Sequence, residues 1–440
     1  MKQARKIGWS LITLLLLVGT AVSQSSQQMP SDWRAKYTGD GDSIDSNSKM
    51  DNSAGTQEIM HIHYLPLLGG GGMVPVDQNR KTNFVYGGVF GYSWDSNLGS
   101  STAGVSASSL NFSPFVGIST STPRTNYLLR YDANISQYPS GVMANNYFQR
   151  GTAAITSSLN QRWSWNATVG GGYGQGTAQA TAIFPDSSAA TASAANQAFY
   201  LLEGGTITLL DTSFGLHYQQ SERNTLSFTL SDTYNSVSNS DMQSSVANFR
   251  VSLDRLLSPR SNMELYGQTL HDWGSTSCTS SGFGVGFTFQ VQEQTTVEIG
   301  GGPQFSAAGC GTGANYTLHG AIARKLSKNS TIRFDAARAY SALALSAGGW
   351  SQFYSGKYTR QLTSKSDAGV EYGYTSSDLA SGGSYHGSYL ATDYGRWISN
   401  SFKSSVSFRR FTGSYQPIGL QRNVILFTLA WYPTSGHIFR

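Results

Sequence analysis

Residues able to do acid–base or metal chemistry are few in this chain and lie far apart. Between residues 200 and 400 the histidines are scattered: His217, His271, His319 and His386. His61 and His63 are two residues apart, so both could reach one metal ion from an extended strand. Two ligands alone do not define a zinc site, and an ordinary polar linker is the competing interpretation. We therefore predict neither a metal site nor a cofactor.

Motifs of known enzyme classes are missing from the sequence. It contains no G-x-S-x-G elbow, no H-E-x-x-H helix signature and no phosphate-binding P-loop. Some hydrolases are membrane β-barrels with a catalytic Ser/His pair. Serine is so frequent in this chain, however, that a Ser close to a His is expected by chance. We predict no catalytic residues and a protein that is not an enzyme.

The two cysteines are the clearest chemical pair. Cys278 lies in the predicted loop between strands 262–272 and 281–291, and Cys310 lies in that between strands 295–306 and 314–326. Both loops are expected on the same outer side of the membrane. In an oxidising compartment such a pair predicts a disulfide, closing a loop of about 32 residues and contributing roughly 3–4 kcal/mol in the chain-entropy model.

The N-terminal 80 residues differ from the rest. Residues 1–23 read as a cleaved signal peptide: Lys2, Arg5 and Lys6 precede an apolar stretch that ends before Ala21-Val22-Ser23. Residues 24–80 are rich in Ser, Asp, Asn and Gln and end in a Gly-rich linker. This composition predicts a disordered periplasmic segment.

The overall composition is that of a chain with an unusual exterior. Charged residues make up 12% of the chain, about half the share typical of a soluble domain, whereas aromatics also reach 12%. Removing the three signal-peptide cations lowers the formal charge from +5 to +2, which argues against a nucleic-acid partner. Beyond Val18 no run of 18 apolar residues occurs, so a membrane-spanning structure would have to be built from strands.

Polar turns recur about every 35 residues along most of the chain, and each interval holds two strands of alternating apolar and small polar residues. This pattern predicts an all-β fold, an antiparallel transmembrane β-barrel over residues 81–433 with a short tail at 434–440. We expect about eighteen strands, with sixteen as the alternative because two are weakly patterned. The predicted strands are 82–94, 108–119, 125–136, 146–158, 163–175, 206–219, 224–235, 245–256, 262–272, 281–291, 295–306, 314–326, 330–342, 348–361, 366–377, 384–398, 402–413 and 420–432.

The connections alternate between two classes. Short polar turns follow every second strand and are expected to face the periplasm, while the longer loops face outward. The loop from Thr177 to Gly205 is the longest and has an Ala-rich centre. It could fold into the barrel and narrow a pore, or it could be a mobile external loop, and the sequence favours neither.

The phase of the alternation predicts which side chains face lipid. Phe84, Tyr86, Phe90 and Tyr92 share one face of the first strand, and Ile425, Phe427, Leu429 and Trp431 share one face of the last. The opposite face is mostly Gly, Ser, Thr and Asn, whereas a soluble β-sandwich would carry charges on its second face. The same phase points twelve charges into the lumen: Arg130, Asp132, Arg250, Asp254, Glu264, Glu298, Arg333, Asp335, Lys357, Glu371, Lys403 and Arg409. Six are basic and six acidic, which predicts weak charge selectivity.

The chain resembles the broad class of bacterial outer-membrane β-barrel proteins and is porin-like in size. The resemblance rests on the signal peptide, the hairpin repeat and the aromatic terminal strand Val424 to Tyr432, and covers residues 82–432. Proteins of this class often end on the aromatic residue of the last strand. Here Pro433 to Arg440 follow, with Phe439 next to last, so either strand end could serve as the assembly signal.

The resemblance implies a bacterial outer-membrane location, with outer-membrane lipid around the barrel. It implies passage of small polar solutes through a porin-like channel, or export of a polymer. The alternative is a barrel that is no channel: a structural or adhesion protein, or an accessory to polysaccharide secretion. A homo-oligomer is compatible with either function.

Overall fold

The computed structural model describes residues 82–97, 105–141, 145–175, 206–237, 243–273, 277–307, 313–341, 349–379, 384–415 and 418–432. Among these residues no helix is long and apolar enough to cross a membrane. The predicted signal peptide, the segment 24–80 with its two histidines, the loop 177–205, Cys310 and the tail 434–440 lie outside the described residues.

Eighteen strands make up the described part of the chain. They are β1 Thr82–Asp95, β2 Ala107–Ser121, β3 Thr125–Gln137, β4 Asn146–Ser158, β5 Trp163–Gln175, β6 Thr206–Ser221, β7 Asn224–Val237, β8 Gln243–Ser258, β9 Ser261–Asp272, β10 Cys278–Gln292, β11 Thr295–Ser306, β12 Gly313–Ser327, β13 Ser330–Ser341, β14 Gly349–Thr363, β15 Ser366–Leu379, β16 Ser384–Trp397, β17 Phe402–Tyr415 and β18 Ile418–Trp431.

Each strand pairs antiparallel with its neighbours in the chain, and β1 pairs with both β2 and β18, so the sheet closes into a barrel. The predicted fold is therefore confirmed, and every predicted strand boundary falls within three residues of the observed one. The sixteen-strand alternative is wrong, because the weakly patterned segments near 108–119 and 146–158 form β2 and β4. The pattern of β4 is weak because small Ala, Gly and Ser residues occupy both faces, and that of β2 because Phe115 interrupts the otherwise small, mostly polar face.

The short turns share one piece of local chemistry. In five of them a Ser or Thr hydroxyl accepts a hydrogen bond from the backbone N–H two residues later, which holds the chain in a tight reversal. The acceptors are Ser221, Ser258, Ser327, Thr363 and Ser399, at 3.2–3.3 Å. Because these turns all lie at one end of the barrel, we call that end the turn end and the opposite end the loop end.

The seam between the first and last strands closes at the loop end through a buried ion pair. Nε of Arg422 donates to Oδ2 of Asp95 at 2.9 Å, and the two residues are only 4% and 1% exposed. Next to them the backbone N–H of Ser96 donates to the carbonyl of Asn423 at 2.9 Å. These contacts extend the seam beyond its paired residues, which run only from Gly88 to Asp95 on β1.

Aromatic rings close the same seam further toward the turn end. Tyr432, directly after β18, packs against Phe115 of β2 and Trp397 of β16, with ring centroids 5.9 and 6.0 Å away. The ring of Phe115 lies over Gly87, where a Cβ would approach it to 2.6 Å and the Trp431 carbonyl to 2.4 Å. Burial raises the pKa of the Tyr432 phenol to about 12, so this ring stays neutral.

The number of strands fixes the width of the barrel. Eighteen strands about 4.8 Å apart and tilted by roughly 40° close into a cylinder about 35 Å across between opposite backbones. Wall side chains reach inward by about 6 Å, so they cannot meet across such a width. The lumen can be filled only by parts of the chain other than the strands.

Candidate functional site

The strand register divides the wall into two faces. Directly paired residues share a face, so Phe90 groups with Phe112 of β2 and Leu429 of β18. When this assignment is carried from strand to strand through all eighteen pairings, it returns to β1 with the same residues on the same face. We call the face that contains Phe90 the outer face and the opposite one the inner face. The residues predicted to face lipid on the first and last strands all lie on the outer face. Trp163 and Trp165 of β5, Phe214 of β6 and Phe228 of β7 share it.

The outer face carries an apolar band bounded by charges on both sides. Arg324 of β12 faces Ile332, and Arg338 lies six residues further along β13. Arg396 of β16 faces Ser404, and Arg410 lies six residues further along β17. Six residues of a tilted strand rise about 15 Å along the barrel axis. The β12–β13 pair and the β16–β17 pair of arginines therefore give the same height for the apolar band between them.

Arg338, the charged residue nearer the loop end, extends away from the apolar band. The guanidinium of Arg338 lies 4.7 Å from the ring centre of Tyr316 and 5.7 Å from that of Trp350. Both rings lie closer to the loop end than Arg338 does, because each is two residues beyond the residue that faces Arg338. This is the snorkelling posture of a long cation at the edge of an apolar layer. If Arg324 and Arg396 extend equally far toward the turn end, the uncharged layer is about 25 Å high, the height of a lipid-facing band.

The register places all twelve charges that the sequence pointed into the lumen on the inner face. Four ion pairs form among them: Arg130–Asp132 and Arg250–Glu264 at 2.6 Å, Arg333–Asp335 at 2.8 Å and Lys357–Glu371 at 3.3 Å. Glu298 lies 3.9 Å from His319, and Lys403 lies 3.3 Å from Asp367. Pairs within one strand or between neighbours follow from alternation, so the sequence contained the signal for most of them.

Sequence reasoning missed eight further charges on the inner face: Asp95, Arg150, Asp211, Asp272, Lys325, Asp367, Asp393 and Arg422. Arg150 and Asp211 lie two strands apart and approach to 3.4 Å across β5, where Gly170 leaves room for the carboxylate. Such a pair has no periodic signature. With these residues the inner face carries nine Lys or Arg and eleven Asp or Glu among the described residues.

A row of charged residues of both signs, three basic and one acidic, crosses the inner face from β13 to β17. Arg333 faces Lys357, and Lys357 faces Glu371. Glu371 in turn faces Ala391 of β16, which faces Arg409 of β17. The Tyr389 hydroxyl donates to the carboxylate of Glu371 from the strand beyond. About a third of the Lys357 and Glu371 side-chain surfaces remains open. Fixed charges of both signs in one row can orient a dipolar solute without holding it by net charge.

The opposite part of the wall, from β5 to β7, is almost uncharged. Its inner row runs Thr168, Ser213, Ser231 and Asn248 in direct register. Hydroxyl and amide groups of this kind replace the hydrogen bonds of water for a passing polar solute. The inner face thus combines a mixed-charge sector with a neutral hydroxylated sector.

One arrangement in the neutral sector has the elements of a proton relay. Nδ1 of His217 lies 3.0 Å from Oγ of Ser227, and Nε2 lies 2.9 Å from Oδ1 of Asn166. With Asn166 accepting, Nε2 carries the proton and Nδ1 accepts from the serine. Acyl transfer also needs N–H donors for an oxyanion. The backbone N–H groups beside Ser227 lie in the β6–β7 and β7–β8 ladders, and Ser227 is buried. The three side chains therefore form a structural hydrogen-bond network that links β5, β6 and β7.

Cys278 is buried at the start of β10 and is disulfide-bonded. Its predicted partner, Cys310, lies outside the described residues and is the one other cysteine of the chain. We expect mass spectrometry of non-reduced, protease-digested protein to find the peptides of Cys278 and Cys310 linked. Reduction should lower the unfolding midpoint, because the bond restricts the unfolded chain by roughly 3–4 kcal/mol. Two free thiols in oxidised protein would contradict the pairing.

No protein-family model and no curated protein sequence matches the chain. Among solved structures it is similar to Pseudomonas aeruginosa OccK2 (OpdF), with 11% sequence identity, a TM-score of 0.48 and coverage of 80% of this chain and 98% of that one. It is also similar to Pseudomonas aeruginosa OpdK with vanillate, at 9% identity and TM-score 0.47, again over 80% and 98% of the two chains. Acinetobacter baumannii OccAB3 follows at 8% and 0.46, with the same coverage. At these identities the likeness concerns the barrel alone.

Proposed function

We propose that the protein is an outer-membrane, porin-like channel through which small polar solutes diffuse. The observation that carries the proposal is the division of one closed wall into an apolar outer face and a hydroxylated, charged inner face. A wall with lipid on one side and water on the other needs this division, because every backbone group is paired within the sheet and only side chains meet the two solvents. In this proposal the turn end faces the periplasm.

The width of the barrel favours an open channel over an interior filled by the side chains of the strands. Small barrels of about eight strands fill their interior with side chains, whereas those of 16–18 strands leave an aqueous passage. The mixed charges of the inner face favour neither anions nor cations strongly. We therefore expect small polar or dipolar solutes, neutral ones included, rather than a strictly ionic substrate class.

Single-channel recording of the purified protein in planar bilayers tests the proposal. We expect a steady conductance and a K⁺/Cl⁻ permeability ratio near one, because oppositely charged groups are interspersed along the inner face. A correctly closed barrel without conductance would contradict the channel and favour a structural or secretion-accessory barrel.

Charge placed in the neutral sector should change this selectivity in a predictable direction. The double variant Thr168→Glu/Ser231→Glu should raise the K⁺/Cl⁻ permeability ratio, and Thr168→Lys/Ser231→Lys should lower it, through the local concentration of counter-ions. Neither change breaks an ion pair of the wall, since Thr168 faces Ala154 and Ser213, and Ser231 faces Ser213 and Asn248. Equal ratios in the two variants would show that ions do not pass this sector.

A further inference from the structure

Four arginines occupy the same place on the outer face near the turn end. Arg255, Arg324, Arg360 and Arg396 each lie four residues before the midpoint of a short turn, and each is exposed. None of the four has a carboxylate partner among the described residues. Two residues closer to the turn, each is followed by an exposed aliphatic side chain: Leu257, Leu326, Leu362 and Ile398, at 45–61% exposure.

The order of these residues is unusual for the edge of a lipid-facing wall, because the cation lies on the membrane side of the aliphatic residue. Arg324 and Arg338 lie on levels only about 15 Å apart, about half the thickness of a hydrocarbon layer. An arginine held there must extend past its aliphatic neighbour to reach water or phosphate. Each guanidinium then lies at the headgroup level, with a Leu or Ile beside it against the first carbons of an acyl chain.

Charge is unevenly distributed around this rim. Between β12 and β17 the turn end of the outer face and the turns carry Arg324, Lys328, Arg360, Lys365 and Arg396, whereas Asp378, the one acidic residue of the outer face among the described positions of this sector, lies near the loop end of β15. Among the described residues the carboxylate nearest these turns, Asp367, is on the inner face and pairs with Lys403. Of the five short turns before this sector, two contain an acid: the β6–β7 turn has Glu222 beside Arg223 and the β10–β11 turn has Glu293. The other three carry a single arginine each, Arg124, Arg162 and Arg260.

The spacing of the sector suits lipid headgroups. β12, β14 and β16 are separated by one strand each, so the three arginines recur about every 12 Å around the barrel of tilted strands. At this spacing each guanidinium can bind the phosphate of a separate phospholipid through two parallel hydrogen bonds.

From these observations we infer that the β12–β17 sector of the turn end binds anionic phospholipids of the leaflet that faces the periplasm. The inference rests on the membrane-embedded orientation proposed above. Its ligand chemistry is a phosphate whose headgroup carries no compensating cation, as in phosphatidylglycerol, rather than a zwitterionic headgroup. An acidic soluble protein would not explain the aliphatic residue that accompanies every arginine.

Native mass spectrometry of the detergent-solubilised full chain with added phosphatidylglycerol or phosphatidylcholine tests this inference. We expect the wild type to retain phosphatidylglycerol preferentially. The triple variant Arg324→Gln/Arg360→Gln/Arg396→Gln should bind it more weakly, on the order of 100-fold if each arginine contributes about fivefold. The matched control Arg162→Gln/Arg223→Gln/Arg260→Gln removes the same charge from turns outside the sector and should keep most of the preference.

Thermal unfolding in vesicles gives a second readout that does not depend on detergent. Phosphatidylglycerol should raise the midpoint of the wild type and of the control variant over pure phosphatidylcholine vesicles, but not that of the triple variant. Equal lipid retention by the triple variant and the wild type, or equal losses in both variants, would overturn a sector-specific site. Channel conductance of the triple variant should equal that of the wild type, so the lipid site and the channel can fail separately.

Discussion

Leu230→Arg is expected to prevent most of the protein from assembling, whereas Ser231→Arg on the neighbouring position is expected to assemble normally. Leu230 lies at the middle of β7 on the outer face, is 51% exposed and pairs with Phe214 and Phe249. An arginine there meets the middle of the apolar band at a cost of about 2–4 kcal/mol. Ser231 points inward between Ser213 and Asn248, where water can solvate the cation.

The measurement is the fraction of protein that migrates as a closed barrel in unboiled electrophoresis, together with the urea midpoint in vesicles. Barrel closure leaves no free edge at which unfolding can start, so the closed form survives detergent without heating. Leu230→Ala serves as the control for lost side-chain area. Equal closed fractions for the two arginine variants would show that the faces are assigned in the wrong phase.

Removing Arg422 is expected to destabilise the barrel by about 3–5 kcal/mol, because Asp95 would remain as a buried charge without its main partner. The pair joins the first strand to the last at the loop end, where the paired part of the seam stops. Closure is the last step that makes the sheet continuous, so Arg422→Gln should also reduce the yield of closed barrel. The double variant Asp95→Asn/Arg422→Gln should recover most of the loss, since no charge then remains unpaired.

The matched control is Lys357→Gln, which breaks an inner-face pair whose two side chains are each about a third open. Its effect on the urea midpoint should correspond to about 1 kcal/mol or less, the range of solvated ion pairs. If Arg422→Gln and Lys357→Gln had equal effects, the seam would derive its stability from its backbone pairing and aromatic contacts instead of the buried pair.

The amino-acid sequence by itself determined the strands and the faces. Alternation has a period of two in any strand, and lipid on one side makes the two faces chemically unlike, so the pattern in β7 or β18 can be read without knowing its neighbours. The short turns carry their own signal, since Ser258 or Ser327 binds a backbone N–H only two residues away. For the same reason the twelve charges of the predicted lumen could be assigned to one face.

Only the tertiary structure decided which residues meet across the wall. Asp95 and Arg422 are 327 residues apart in the chain, and Arg150 reaches Asp211 across an intervening strand. The row of Asn166, His217 and Ser227 likewise depends on the relative positions of three strands. Strand tilt and stagger set these meetings, and both are fixed by closing eighteen strands into one ring. No local pattern records that closure, because its geometry is a property of the whole sheet.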